Sequence, residues 1–348
     1  MDKKYTIKDI AALAGVSKGT VDRVLHKRGK VSETALVKVN KVLDEIDYQP
    51  NPMAKNLRIN KIFKLFVLIP NAGKDSFWLP CKDAIQEFED AYKGFGIKVE
   101  NYFFDPGSTV SFLETARGMI VHQPDAILTV PIFAKEAHII VKECYDAGIK
   151  VSIFNNFIAS DYVHNFIGQD LYKSGRVAAN LVHMLLKRGH IGIIHIDEES
   201  RNATHLQEKE KGFRNYFSAL DSDDYQISTL SISHKDPLKF KSTLLEFLDK
   251  NKNLEAMFVT ISKSHLVADA IKDSAQKQLI VGYDLVDKNV HYLKNGGVQF
   301  LINQKPKEQV TLALNYLAEF FLFDKPIPSE VLLPIVIVNA ESVDGYLI

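Results

Sequence analysis

The sequence predicts a small all-α head, a short linker, and an α/β body of two doubly wound parallel-sheet subdomains. Three observations carry this. Residues 5–46 place apolar side chains at helical spacing, with glycine and serine between the runs. From Lys64 onward, short β-rich runs alternate with helical stretches, the order that builds parallel sheets through right-handed crossovers. Charge divides along the same line. The first 61 of the 348 residues hold 13 Lys and Arg against 7 Asp and Glu, and the rest holds 30 against 36. A basic head on an acidic body points to a polyanion as the partner of the head.

In the head, Ile7, Ile10, Ala11 and Ala14 follow the spacing of one helix face, and Thr6 with Asp9 resembles a capping box. Gly15 is suited to end this helix in a left-handed conformation. Ser17 is suited to cap a second helix whose stripe is Val21, Val24 and Leu25. A third helix begins near Ser32, with Leu36, Val39, Val42, Leu43 and Ile46 as its apolar face. Gly15-x-Ser17-x-Gly19 also has the spacing of a hydrolase nucleophile elbow, but an elbow serine follows a strand, and here a helix precedes it. Helix, glycine turn, helix is the helix-turn-helix pattern, whose second helix enters the major groove. After the head, Asn51 is a good N-cap and Pro52 fits the first helical position. The hinge helix so begun has about seven residues, too short to be stable alone.

Residues 5–58 resemble the DNA-binding head of the lac repressor family. The carrying residues are T-I-K-D-I-A-x-L-A-G-V-S, T-V-x-R-V-L and Y-x-P-N-x-x-A-x-x-L. The resemblance implies a DNA-binding set of Thr6, Ser17, Lys18, Gly19, Thr20, Asp22, Arg23 and His26 in the head, and Asn51, Ala54 and Leu57 in the hinge. Of these, Lys18, Gly19, Thr20 and Arg23 match the base- and phosphate-reading positions. Leu57 matches a leucine that wedges into the minor groove. Asp22 departs from the usual serine; it either accepts from a cytosine amine or pairs with Lys18 or His26 on its own helix.

The body's strand candidates are KLFVLIP, KVENYFF, DAILTVP, KVSIFN, HIGIIHI, YQISTLSI, AMFVTI, LIVGYD and VQFLINQ. The series breaks near residues 156–166, which suggests two subdomains. The expected division is a head over 1–49, a hinge and linker over 50–61, and a body over 62–348. The body divides into an N-subdomain of about 62–158 and 287–323 and a C-subdomain of about 162–284 and 328–348. Open α/β sheets bind ligands at the carboxyl ends of their strands. No G-x-G-x-x-G follows the first strand and no G-x-x-x-x-G-K-[ST] occurs, which argues against a nucleotide cradle. The strand ends instead carry Ser76-Phe77-Trp78, Asn155-Asn156, Asp284 and Asn303-Gln304. Amides, carboxylates and aromatic rings suit a hydroxyl-rich ligand.

Residues 62–348 resemble a type I periplasmic-binding-protein-like effector domain, nearest in layout to ribose-type binding proteins. The carriers are F-I-G-Q-D-x-x-x-S-G-R-x-A-A, G-Y-D and F-L-I-N-Q-K-P-x-E-Q. The resemblance implies an effector site of Phe77, Trp78, Asn155, Asn156, His205, Gln207, Ser262, Asp284 and Gln304. Phe77 and Trp78 match an aromatic pair that sandwiches a sugar, although Trp78 also reads as plain core. Asn155 and Asn156 stand where relatives carry Asp-Arg. His205 and Gln207 open a helix where such proteins often place an arginine. Ile261 stands where many relatives have a ligand-binding asparagine, so Ser262 or Lys263 takes over that role. Asp170 reads more simply as a helix cap or a strut between subdomains than as a ligand contact.

The expectation is therefore a cytoplasmic, bacterial, homodimeric transcription regulator. It binds a pseudo-palindromic double-stranded operator under the control of a small sugar. No catalytic residue, cofactor, metal or membrane partner is expected: Cys81 and Cys144 lie in no metal-ligand pattern, no long apolar run occurs, and MDKKYTIKDI lacks the apolar core of a signal peptide. A sugar-modifying enzyme carrying the same head is the alternative.

Overall fold

The computed structural model describes residues 5–25, 28–46, 48, 61–197, 203–220, 223–274 and 277–347. The chain separates into two compact units, Met1–Asn60 and Lys61–Ile348. Among the described residues, no helix is long and apolar enough to cross a membrane.

The first unit contains α1 (Ile7–Ala14), α2 (Lys18–Leu25) and α3 (Glu33–Glu45). Thr6 and Asp9 form a reciprocal capping box: Asp9 N–H donates to Thr6 Oγ1 at 3.3 Å and Thr6 N–H to Asp9 Oδ2 at 2.8 Å. Gly15 ends α1 at φ 62°, and a Cβ there would meet nothing within 4 Å, so glycine serves the left-handed backbone and not a tight fit. Ser17 Oγ accepts from Thr20 N–H at 3.1 Å at the start of α2. Ile10, Val21 and Val39 form the fully buried centre. Leu36, expected on the buried face of α3, remains 40% exposed. His26 and the hinge residues Asn51, Ala54 and Leu57 lie outside the described residues.

The second unit runs β1 (Phe63–Pro70), α4 (Leu79–Tyr92), β2 (Ile97–Phe104), α5 (Thr109–Val121), β3 (Ala126–Thr129), α6 (Ala134–Asp146), β4 (Lys150–Asn155) and β5 (Asn165–Gly168). The chain then crosses into α7 (Leu171–Leu185), β6 (Gly189–Ile196), α8 (Thr204–Ser218), β7 (Tyr225–Ile232), α9 (Pro237–Lys250), β8 (Leu254–Val259), α10 (Ser264–Ile271), β9 (Leu279–Tyr283), α11 (Asp287–Lys294) and β10 (Phe300–Asn303). It returns as α12 (Pro306–Phe323) and β11 (Glu330–Leu332), and crosses a third time into β12 (Val336–Val338). One sheet has the order β11-β5-β4-β3-β1-β2 and the other β12-β10-β9-β8-β6-β7. Among the described residues, every pairing is parallel except β10 with β12. The order reverses between β1 and β3 and again between β6 and β8, and a crevice opens at the strand ends at such reversals.

The subdomain boundaries differ from those expected from sequence. Residues 165–168 pair with β4 in the first sheet, so the first crossing follows Gly168 and not residue 158. Residues 287–303 stay with the second sheet, because β10 pairs with β9. The second crossing therefore follows Asn303, and α12 packs its Val310, Leu314 and Leu317 into the same core as Phe63 and Phe66. Residues 330–332 pair with β5, so the third crossing follows Leu332. Hydrophobic period marks a strand, but it does not say which of two sheets the strand joins.

Two helices of the second subdomain touch through glycine. A Cβ on Gly175 of α7 would lie 1.9 Å from the Lys209 carbonyl oxygen of α8, and one on Gly212 would lie 2.0 Å from the Tyr172 carbonyl oxygen. Backbone cannot yield as a flexible side chain can, so Gly175→Ala and Gly212→Ala should each cost about 1–3 kcal/mol. Urea unfolding followed by circular dichroism checks this against Gly345→Ala, where a Cβ meets nothing within 4 Å.

Candidate functional site

A cavity of about 1010 Å³ opens between the two subdomains of the body. Asp75 and Phe77 line it from the segment after β1, and His234, Ser262, Lys263 and Asp284 line it from the second subdomain. The strand-to-helix turns that deliver these groups are held by side chains. Asp75 Oδ1 accepts from Phe77 N–H at 3.1 Å. Asn289, fully buried in α11, donates to the carbonyls of Ser262, Tyr283 and Asp284 at 3.0, 2.8 and 3.2 Å. Its Oδ1 accepts from His265 N–H at 2.9 Å and lies 2.7 Å from His265 Nδ1. Burial holds His265 below its ordinary range, so the neutral ring donates from Nδ1.

Asp284 follows β9 in a left-handed conformation, φ 65°. Its N–H donates to Ile302 O at 3.0 Å, which ties the turn to β10. The carboxylate accepts from Gln304 twice, from N–H at 3.0 Å and from Nε2 at 2.7 Å. Only 2% of Asp284 is exposed. Burial pushes its carboxyl up to about 6; the Lys209 charge and the Gln304 bonds hold it from going higher, and Asp75 adds to the rise. A carboxylate with this setting accepts hydrogen bonds strongly and has lone pairs beyond the two that Gln304 occupies.

Asn155, also left-handed at φ 64°, ends β4 with its Nδ2 buried and without a partner. Asn156 reaches the second subdomain, where its Nδ2 lies 3.1 Å from His205 Nδ1. Trp78 packs edge-on against Phe77 at 4.7 Å and Phe154 at 6.1 Å, inside the core of the first subdomain. Gln207 is exposed on α8. Thus Phe77, Ser262 and Asp284 line the cavity directly, Gln304 acts on it through Asp284, and Asn156 and His205 meet each other between the subdomains. Trp78, Asn155, Asn156, His205, Gln207 and Gln304 are not among the lining residues.

Several residues were missed in sequence. Asp197 ends β6 at φ 66° and accepts from Lys263 Nζ at 2.6 Å and His234 N–H at 2.8 Å. Burial raises its carboxyl, and Lys263 and His234 outweigh burial to leave it lowered. Glu210 is likewise raised by burial, but its bonds from His195, Thr229 and Arg214 carry it down to about 2. Gln169 donates from Nε2 to Asn303 O at 3.1 Å and Pro334 O at 2.8 Å, so one side chain ties all three crossings together. Lys209 is a buried lysine in α8. Asn289, Gln169 and Lys209 act through tertiary contacts that no local motif announces. Asp170, by contrast, caps α7 by accepting from Lys173 N–H at 2.9 Å.

In the head, Ser17, Lys18, Gly19 and Arg23 are exposed, and Thr20 and Asp22 are half-buried. Thr6 is exposed beside its capping partner. The outer face of α2 thus presents a lysine and an arginine while Val21 faces the core.

A two-lobed body with a polar cleft at its strand ends defines a ligand-binding domain of the periplasmic-binding type. The chain belongs to the periplasmic binding protein domain family over residues 66–322, and residues 6–51 match the model for bacterial regulatory proteins of the lacI family. It is a lacI-family DNA-binding transcription regulator. It is 22% identical to the sucrose operon repressor of Streptococcus mutans over 96% of this chain and 98% of that one. It is 33% identical to catabolite control protein A of the same organism over 36% of this chain and 37% of that one. A crystal structure provisionally assigned as a LacI transcriptional regulator from Bacteroides fragilis superposes with TM-score 0.76 at 24% identity, covering 82% of this chain and all of that one. A solute-binding protein of Burkholderia graminis in complex with D-arabinose gives 0.73 at 17% identity, covering 82% and 98%. These likenesses are of fold.

Asp284 makes a pH prediction. Its folded value lies above the ordinary value of about 3.9. The folded state therefore binds the proton more tightly than the unfolded state, and this group lowers stability as pH rises from about 4 to about 6. Asp284→Asn should lack that loss and gain on the order of 1–3 kcal/mol at neutral pH relative to pH 4, when effector is absent. Urea unfolding followed by Trp78 fluorescence at each pH checks it.

Proposed function

We propose that this regulator represses transcription from a pseudo-palindromic operator as a homodimer in the bacterial cytoplasm, and that a small sugar in the body's cleft controls its hold on DNA. It acts by binding, without catalysis. The observation that carries the sugar reading is the buried Asp284 carboxylate, fixed by Gln304, with spare acceptor capacity at the wall of a cavity that Phe77 also lines. Hydroxyl groups, which donate readily to a carboxylate, match that acceptor. The name of the relative aligned over nearly the full chain, a sucrose operon repressor, and the D-arabinose complex of a related fold support the same class.

Control requires that the sugar bind one relation of the two subdomains better than another. The three crossings are the segments that can flex, and Gln169 makes them flex together. In the head, Lys18, Thr20 and Arg23 are the proposed groove contacts, with the hinge residues Asn51, Ala54 and Leu57 completing the DNA set.

Thermal shift against D-ribose, D-allose, D-arabinose, D-glucose, sucrose and their phosphates tests the reading. A sugar at 100 times its Kd adds about 2.7 kcal/mol of stability. Asp284→Ala should weaken that sugar about 10-fold to 150-fold, the worth of one charge-assisted bond, and leave effector-free DNA binding intact. If no sugar raises melting, or if Asp284→Ala binds as well as wild type, the site assignment is wrong. On the DNA side, six or more phosphate contacts imply a loss of roughly 10³ or more in affinity between 50 and 200 mM salt. A fluorescence-anisotropy titration that stays flat with salt contradicts the proposed interface.

A further inference from the structure

The charges around the cleft do not cancel. Four of the five lysines at the cavity wall are paired with carboxylates on their own side of it. Lys263 Nζ reaches Asp197 at 2.6 Å, Lys305 Nζ reaches Glu308 at 2.8 Å, Lys307 Nζ reaches Glu87 at 2.6 Å, and Lys74 pairs with Asp105. His234 also turns to Asp197. The fifth lysine, Lys288, is exposed in the first turn of α11 beside Asp287, whose charge suits a helix N-terminus. Two lining carboxylates remain that form no ion pair with a described residue, Asp75 and Asp284. They belong to opposite subdomains, one after β1 and the other after β9. Asp75 is half-buried and gives one oxygen to Phe77 N–H at 3.1 Å. Asp284 is buried, and both of its donors come from the neutral Gln304. Ser262 lines the same cavity at 8% exposed, and its hydroxyl bonds to no described residue.

We propose that the effector carries a protonated amine, as an amino sugar does, and that this ammonium sits between Asp75 and Asp284 with the Ser262 hydroxyl as a third acceptor. An ammonium has three N–H donors and meets three acceptors here. A neutral hydroxyl has one proton and can donate to only one of the two carboxylates. Charge points the same way, since carboxylates taken out of water are best answered by a cation that also donates to them. Lys209 does not fill that place: its Nζ donates to Thr260 O at 3.0 Å, and it is not a lining residue. With the cleft empty, like charges on opposite subdomains resist closure. An ammonium between them is attracted from both sides. The effector's charge thereby supplies the differential affinity for the closed relation that control requires.

The ammonium site rests on the sugar reading of the cleft, and one titration series separates the two. Isothermal titration calorimetry on the full chain compares D-glucosamine, D-galactosamine and D-mannosamine, each with its neutral parent sugar and its N-acetyl form. Putrescine is included as an amine without hydroxyls. One amino sugar should bind at least about 10-fold more tightly than its neutral parent and its N-acetyl form, the worth of one charge-assisted bond. Asp75→Asn removes the charge and keeps an acceptor for Phe77 N–H, and should weaken that amino sugar about 10-fold to 150-fold. Asp75→Ser, which also caps a helix start, serves if the Asn variant does not fold. If a neutral parent or N-acetyl form binds as tightly as the amino sugar, or if the Asp75 variant binds it like wild type, the ammonium site is overturned and the sugar reading stands. If putrescine binds and no sugar does, the ammonium site stands and the sugar reading falls. If no amine binds, the ammonium site is overturned whatever the neutral sugars do.

Discussion

A carboxylate buried at the end of β9 is the constraint around which the body is arranged. Asp284 must lose its water, and several unrelated parts of the chain answer that cost. The left-handed turn aims it, Asn289 holds the turn by its carbonyls, Gln304 supplies two donors, and Lys209 supplies charge from a different helix. Each of these has a further supporter. Thr260 holds Lys209, His195 and Glu210 hold Thr260, and Gln309 holds Gln304 by donating to its carbonyl at 2.6 Å. Such an arrangement is expensive for stability alone, since an apolar pair would fill the same space at lower cost. Its retention makes sense where a ligand is to be gripped.

The two-lobed plan places this carboxylate where movement is possible. Gln304, its partner, stands on the second crossing, directly between β10 and α12. Gln169 stands on the first crossing and bonds to residues beside the other two. A rotation of one subdomain on the other must pass through these same three strands, so the group that fixes Asp284 is part of the pivot. Ligand contact and subdomain relation are thereby coupled through adjacent backbone, over one residue rather than through a long path. The Asn156 contact with His205 is made directly between the subdomains and is sensitive to the same rotation.

The helices of the head were legible in sequence because they rest on local pattern. Thr6 with Asp9, Gly15 and Ser17 are short-range devices, and the structure shows each in its expected conformation. The strand runs of the body were legible for the same reason. What could not be read was membership: β5 and β10 are four-residue strands just before a crossing, and nothing in their composition names their sheet. The cleft was half legible. Asp284 and Phe77 follow strands and announce themselves as strand-end residues. Lys209 does not, because a lysine two positions after Gln207 on a helix reads as solvated until the helix is docked. Trp78 misled in the other direction, since its neighbour lines the cavity while its own ring packs on Phe154.

Left-handed backbone gives an independent reason for Asp and Asn at the strand ends, and it limits what those residues prove. Asn155, Asp197 and Asp284 share φ values of 64°, 66° and 65°, a region that Asp and Asn tolerate better than other residues with a side chain. Their presence alone is therefore explained by geometry. What separates them is what their side chains do afterwards. Asp197 is fully engaged by Lys263 and His234 on its own side of the cleft. Asp284 has two donors and lone pairs to spare, and Asn155 has a buried amide with no partner. Backbone need accounts for all three residues, but only Asp284 and Asn155 have capacity left over, one as an acceptor and one as a donor. Of the two, Asp284 is the one that lines the cavity between the subdomains, and Asn155 is not among the residues that line it.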